Sequence, residues 1–264
     1  MKVEINGVSL NYRIDGSEGA PWLVFSNSLA TDLGMWDAEA AHYAGRYRVL
    51  RYDTRGHGGS AATPSPYTLD LLVSDAAGLM ESLGVKRPIF VGLSLGGMTA
   101  MGLALRDPAR LRAIAVCAAR ADVPDGFGMM WDERIGIART KGMNALVEST
   151  LARWFTPELL AQKPAFLDGV TRMIETTSVE GYAGCAEALK RLDYLPRLDR
   201  ITLPTLFVAG ANDIAAPSAN MRAMSEKVAR SRFVELNPSG HLVNLQQPAR
   251  FRESLDAFLA AVPA

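Results

Sequence analysis

The chain has 264 residues, of which 48% are hydrophobic and 21% charged, and its 28 Lys and Arg balance its 28 Asp and Glu. This is ordinary globular composition, which excludes a disordered or fibrous chain. A net charge of zero gives no sign of a nucleic-acid or anionic-membrane binder, so we expect a small-molecule substrate. The length predicts one large α/β domain, with or without an insertion.

Cysteine content and apolar runs favour a protein of a reducing compartment. Cys117 lies in an apolar run and Cys185 lies far from it, without a Cys-x-x-Cys pair, so both are predicted to be buried thiols. The first residues, Met1–Gly7, lack the apolar region of a signal peptide, and no run reaches the roughly 18 apolar residues of a membrane span. We therefore expect no membrane segment and a cytoplasmic location.

Hydrophobic patterning predicts strands that alternate with helices. The alternating segment Val8–Ile14 predicts an antiparallel strand with one wet face. Short apolar runs predict strands buried on both faces, at Trp22–Phe25, Ile89–Val91, Leu111–Cys117 and Leu206–Ala209. Helical spacing predicts helices at Leu69–Leu83, Thr99–Arg106 and Pro248–Leu259. This alternation indicates a doubly wound α/β sheet.

One segment interrupts the alternation. Residues 122–199 combine helix-like apolar spacing with two tryptophans and several arginines, and they contain no convincing buried strand. We interpret 122–199 as a helical cap inserted into a core domain made of 1–121 and 200–264.

A candidate nucleophile lies on a predicted sharp turn. Gly92-Leu93-Ser94-Leu95-Gly96-Gly97 follows the run Ile89–Val91 and precedes a helix-like segment. A serine on so tight a turn requires small neighbours two residues to either side, which Gly92 and Gly96 supply. The strand and helix context argues against a chance match in a chain with 23 glycines.

A serine nucleophile requires a base, and the chain offers three histidines. His241 follows the extended run Phe233–Leu236 and precedes the last helix, which places it at a strand's carboxyl end, where functional groups of α/β sheets gather. His57 lies in a Gly-rich turn and is interpreted as structural, and His42 lies in a predicted helix. His241 is therefore the predicted base, with a surface loop histidine as the alternative.

The remaining parts of a triad site can be placed from the order of the chain. Asp213 follows the run Leu206–Ala209 and is the predicted carboxylate partner of His241, although it could also be a turn residue beside Asn212. The backbone N–H groups of Leu95 and Leu29 are the predicted oxyanion donors. The order Ser94, Asp213, His241 is that of α/β-hydrolases and not of chymotrypsin or subtilisin.

These residues resemble the α/β-hydrolase superfamily over the whole chain. The narrower resemblance is to 3-oxoadipate enol-lactone hydrolases of the β-ketoadipate pathway of aromatic catabolism. It is carried by four segments, 26–36 (SNSLATDLGMW), 51–58 (RYDTRGHG), 153–156 (RWFT) and 181–185 (GYAGC). Two departures concern loops beside the site, since Ala30 stands where the family usually has glycine and residues 212–217 read NDIAAP.

The resemblance implies an α/β-hydrolase fold: a mostly parallel central sheet with helices on both faces and an inserted helical cap. It implies hydrolysis of 3-oxoadipate enol-lactone through an acyl-enzyme, with no metal or organic cofactor. The substrate carries a carboxylate, for which Arg134, Arg139 and Arg153 of the cap are candidate partners. Trp131 and Trp154 are candidates for the substrate-binding wall or, equally, for the core of the cap.

Two other readings of the function remain open. The same triad would serve a broad carboxylesterase or a cofactor-free perhydrolase acting on neutral esters, neither of which needs a buried cap cation. An α/β-hydrolase fold can also act as a small-molecule receptor, because fold alone does not determine function. Sustained turnover distinguishes the receptor from the enzymes. The oligomeric state does not follow from the sequence.

Overall fold

An eight-stranded sheet forms the centre of the computed structural model, which describes residues 1–263. The strands are β1 Lys2–Ile5, β2 Val8–Asp15, β3 Trp22–Ser26, β4 Arg48–Tyr52, β5 Ile89–Leu93, β6 Ala113–Cys117, β7 Thr205–Gly210 and β8 Ser231–Leu236. Their order is β1-β2-β4-β3-β5-β6-β7-β8. β2 is antiparallel to β1 and β4, as its alternating pattern predicts, and the pairs from β4 to β8 are parallel.

The four apolar runs are strands, and their side chains explain why. β5, β6 and β7 are buried along their whole length, so neither face has to be polar. β6 begins at Ala113, two residues later than predicted, because a 3₁₀ turn at Pro108–Arg110 precedes it. The edge strand β1 was not predicted, since it has only four residues and only the last of them is buried.

Eleven helices accompany the sheet in residues 1–263. Those outside the predicted cap are α1 Asp37–Tyr43, α2 Leu69–Ser82, α3 Leu95–Arg106, α9 Ser218–Lys227, α10 Val243–Gln246 and α11 Pro248–Leu259. α3 begins four residues earlier than predicted. Its first turn contains Gly96 and Gly97, whose low helix propensity hid the start of the helix in the sequence. None of the helices in this described part combines the length and apolar character needed to cross a bilayer.

Five helices fill the chain between β6 and β7: α4 Phe127–Lys141, α5 Val147–Trp154, α6 Pro157–Gln162, α7 Phe166–Thr176 and α8 Val179–Leu189. The part of the chain described between these two strands contains no strand. α8 lies directly on the loop after β4, where a Cβ atom at Gly181 would be 2.3 Å from the carbonyl oxygen of Gly56. The extent of the cap, 122–199, remains our prediction.

A buried ion pair joins the loop after β4 to α2. Arg55 donates two hydrogen bonds of 2.8 Å to the carboxylate of Asp75, and Asn6 donates a third, of 3.0 Å. Both charged side chains are nearly inaccessible, at 3% and 4% exposure.

The two free cysteines, Cys117 and Cys185, are buried, as predicted.

Removing one member of the Arg55–Asp75 ion pair should destabilise the fold. Asp75→Leu leaves the Arg55 guanidinium buried without its counter-charge, and we expect the free energy of unfolding to fall by about 3–5 kcal/mol. Urea denaturation measures this change. Glu81→Gln is the control, because Glu81 lies on the same helix in an exposed pair with Arg110, and its midpoint should stay near that of the wild type. Equal losses in the two variants would contradict the prediction.

Candidate active site

Ser94 occupies a strained turn between β5 and α3. Its φ is +55° and its ψ −112°, outside the regions that side-chain-bearing residues normally adopt. A Cβ atom at Gly92 would be 2.0 Å from the carbonyl oxygen of Gly96, and one at Gly96 would be 2.2 Å from that of Ser26. The turn therefore has no space for larger residues at these two positions, which is the steric requirement inferred from the sequence.

Two backbone N–H groups beside this turn are the predicted oxyanion donors. Within residues 1–263, the amides of Leu29 and Leu95 donate no backbone hydrogen bond. The amide of Gly96 donates a 2.9 Å bond to the carbonyl oxygen of Asn27, which fixes the Leu29 loop to the start of α3. Ala30 adopts a φ of +59°, and this left-handed conformation explains why glycine suits the position.

His241 and Asp213 form a buried pair at the carboxyl ends of β8 and β7. The imidazole Nδ1 lies 2.8 Å from Asp213 Oδ2, and both side chains are almost fully buried. The other oxygen, Oδ1, accepts backbone hydrogen bonds from Ala215 at 2.7 Å and Ala216 at 3.0 Å. Asp213 thus organises its own turn and also faces the histidine.

One cavity lies between the core and the cap and is lined by residues of both. Ser94, His241 and Leu29 line its core side. No hydrogen bond joins Ser94 to His241 among the described residues, a feature common in unliganded sites, where such bonds tighten when substrate binds. The cavity therefore brings together the nucleophile and base predicted from the sequence.

The cap contributes two arginines without acidic partners in the described chain. Arg134 donates to three hydroxyl groups, those of Tyr182 at 3.0 Å, Ser149 at 3.2 Å and Thr150 at 2.5 Å. Arg153 lines the same cavity, and burial, followed by the nearby positive charge of Arg134, lowers its pKa. Neither guanidinium forms an ion pair in the described chain, although the charge of Asp213 partly offsets that of Arg153, so the two cations favour an anionic ligand.

Arg139 does not reach the cavity, so its candidacy for substrate binding fails. It lies five residues after Arg134 on α4, about 140° further around the helix. Its guanidinium is half exposed, lies 3.4 Å from Glu180 and donates to Ser65.

Both tryptophans line the cavity and are also largely buried. The indole N–H of Trp131 has no hydrogen-bond partner among the described residues, and the Trp154 ring stacks against His241 with centroids 6.4 Å apart. Each tryptophan therefore forms part of the cavity wall and part of the core of the cap.

Sequence reasoning did not select Arg120 or Tyr182, and both line the cavity. Arg120 follows β6 by three residues, and its Nη2 donates a 3.2 Å bond to Asp122. Its position at the carboxyl end of a parallel strand was the signal available in the sequence. Tyr182 lies within the GYAGC segment of the resemblance.

The other two histidines lie away from this cavity. His57 is buried in its turn, with Nδ1 3.1 Å from the Arg55 carbonyl oxygen, and burial lowers its pKa to about 4. His42 lies on α1, near Asp256. Among residues 1–263, no group of three or more His, Cys, Asp or Glu side chains is placed to hold a metal ion.

Comparison with known proteins places this architecture in a family. A family profile described as alpha/beta hydrolase fold matches residues 21–248. The chain belongs to the α/β-hydrolase fold family and is a hydrolase of that class, as the sequence indicates.

Several relatives refine the comparison. The chain is 34% identical over 252 residues to 3-oxoadipate enol-lactonase 2 of Acinetobacter baylyi, covering 96% of this chain and 93% of that protein. The crystal structure of the enol-lactonase from Burkholderia xenovorans superposes with a TM-score of 0.95 at 40% identity, covering 98% of this chain and 100% of that one. A putative carbamate hydrolase, RutD of Pseudomonas savastanoi, is 27% identical and covers 92% of this chain and 95% of its own.

Gly96→Ala should disrupt the alignment of the two free amides. The added Cβ atom would collide with the Ser26 carbonyl, displacing the loop that carries Leu29, and losing one oxyanion donor costs about a hundredfold or more in kcat. Turnover of p-nitrophenyl acetate measures the loss. Gly128→Ala is the matched control, because its Cβ would meet nothing within 4 Å. Unchanged kcat in Gly96→Ala would refute this account of the turn.

The buried His57 should make stability depend on pH. Its pKa is about 4 in the fold and 6.5 in the unfolded chain, so the unfolded state binds more protons between these values. The stabilisation from neutral His57 is complete above pH 6.5 and declines by up to about 3 kcal/mol as the pH falls towards 4. Urea denaturation from pH 4 to 8 should show a shallower decline in His57→Asn, and identical slopes would count against this origin.

Proposed function

We propose that the protein hydrolyses 3-oxoadipate enol-lactone, or a closely similar lactone bearing a carboxylate, with Ser94, Asp213 and His241 as its catalytic residues. The observation that carries the proposal is the shared cavity, in which the strained serine and a carboxylate-paired histidine lie beneath two cap arginines without acidic partners. Similarity to two named enol-lactonases supports the same substrate.

In the proposed acylation, Ser94 Oγ attacks the lactone carbonyl while His241 Nε2 takes the hydroxyl proton. Asp213 holds Nδ1–H and stabilises the imidazolium that forms. The amides of Leu29 and Leu95 donate to the developing oxyanion. The ring C–O bond then breaks, the enol oxygen leaves with the proton from His241, and the enol becomes a ketone that stays tethered to the acyl group.

Deacylation repeats these steps with water as the nucleophile. His241 takes a proton from water, the resulting hydroxide attacks the ester carbon, and Ser94 leaves with the proton that His241 returns. The product is a dicarboxylate, 3-oxoadipate. No described step requires a group beyond these side chains and backbone amides.

In this proposal, Arg134 and Arg153 of the cap select a substrate that bears a carboxylate. A carboxylate excluded from water needs charged hydrogen-bond donors, and Arg153 supplies a cavity-lining guanidinium without an ion pair among the described residues. Arg134, held by three hydroxyls, adds positive charge in a fixed position. This charge favours an anionic substrate over the neutral esters of the alternative carboxylesterase or perhydrolase reading.

Ring opening of 3-oxoadipate enol-lactone, followed by its ultraviolet absorbance, tests the proposal directly beside p-nitrophenyl acetate. We expect kcat/KM on the lactone to exceed that on the neutral ester by about a hundredfold or more, and Ser94→Ala to abolish both activities. Fast turnover of the ester alone would support a general esterase. Ligand binding without turnover would support a receptor.

Arg153→Met should impair the lactone selectively. Loss of a charge-assisted hydrogen bond of about 1.5–3 kcal/mol corresponds to a decrease of about 10- to 150-fold in kcat/KM. Activity on p-nitrophenyl acetate should change little, since that ester carries no carboxylate. Arg139→Met, on the outer face of α4, is the control and should leave both activities intact. Equal effects on the two substrates in Arg153→Met would contradict the assignment.

A further inference from the structure

One short cap segment, Arg153–Thr156, touches both the proposed substrate site and the loop of the proposed base. It joins the end of α5 to the start of α6. Arg153 faces the cavity, whereas Trp154 and Thr156 contact the chain around His241. The residues that would hold the substrate and those that meet the base are therefore adjacent in sequence.

The first contact is between backbones. The amide of His241 donates a 2.7 Å hydrogen bond to the carbonyl oxygen of Trp154. The neighbouring Gly240 allows this approach, because a Cβ atom there would be 2.4 Å from the same oxygen. The Trp154 ring also lies nearly parallel to the imidazole, at 23°. The cap thus contacts both the main chain and the ring of His241.

The second contact is a side-chain bridge made by Gln246 of α10. Its Oε1 accepts a 2.8 Å hydrogen bond from the amide of the buried Gly240. Its Nε2 donates a 2.8 Å hydrogen bond to Oγ1 of Thr156, a buried side chain at the N-terminus of α6. Both polar groups of one amide therefore connect the histidine loop to the cap.

The core holds the other side of the same loop. The amide of Asn212 donates a 2.8 Å hydrogen bond to the Ser239 carbonyl, beside the Asp213 turn. A Cβ atom at Gly210 would be 2.0 Å from the Gly240 carbonyl oxygen. Segment 239–241 thus contacts the Asp213 turn on one side and the cap on the other.

We propose that Thr156 and Gln246 are positioning residues that fix the His241 loop against the cap. Neither side chain lines the cavity, so losing the bridge displaces the base and lowers kcat while KM stays nearly unchanged. This inference rests on the proposed chemistry of Ser94 and His241, and on nothing about which ester is the substrate.

Kinetics on p-nitrophenyl acetate test the bridge, because this ester needs no carboxylate contact. Thr156→Val and Gln246→Leu should each lower kcat about tenfold or more, with KM within about twofold, since small displacements of a base carry large rate costs. Thr156→Ser retains the hydroxyl and should stay within about twofold of the wild type. The double variant should lose no more than Gln246→Leu alone, because that variant already lacks the hydrogen bond to Thr156.

Ser178→Ala separates positioning from stability. Ser178 caps α8 as Thr156 caps α6, each accepting a hydrogen bond from a backbone amide of its helix. Losing that cap should lower the denaturation midpoint and leave kcat unchanged. Gln246→Asn, a polar side chain too short to reach both partners, should reproduce the kcat loss if Gln246→Leu fails to fold.

Wild-type kcat in Thr156→Val or in folded Gln246 variants would overturn the proposal. A double variant whose losses multiply, or a kcat loss in Ser178→Ala that matches Thr156→Val, would also overturn it. Ser94→Ala, run in parallel, keeps the failures distinct. If that variant retains turnover, the proposed triad is wrong, whereas an inactive Ser94→Ala beside fully active bridge variants rejects the bridge alone.

Discussion

The close approach of backbones around Ser94 is the constraint on which the rest of the site depends. Because Gly92 and Gly96 lack side chains, β5 can turn directly into α3 and hold the serine in a strained conformation. The same closeness lets the amide of Gly96 bond the Asn27 carbonyl. One contact therefore couples the position of Ser94 to that of the loop that carries Leu29.

Much of this arrangement follows from local sequence signals. The short apolar runs predicted buried parallel strands, and the glycines around Ser94 predicted the sharp turn. Asp213 and His241 could be chosen because each follows a strand, and parallel strands bring their carboxyl ends to one edge. Family membership and fold agree with these predictions.

The cap was harder to predict, because its geometry depends on how helices pack and not on local pattern. Helical spacing predicted the insertion, yet it could not show which arginine faces inward. Arg139 and Arg134 lie on one helix, but only Arg134 lines the cavity. Arg120 was overlooked, although its position three residues after β6 was an available signal. The Gln246 bridge joins residues 90 positions apart and leaves no local signal.

The loop after β4 and α8 meet at Gly56 and Gly181, with no side chain between them. A Cβ atom at Gly56 would be 2.2 Å from the Cα atom of Gly181, so the contact leaves no space for one. A methyl group at either glycine would push α8 away from the loop, and that helix carries Tyr182, which lines the cavity. The position of a cavity-lining side chain therefore depends on two glycines that do not line the cavity.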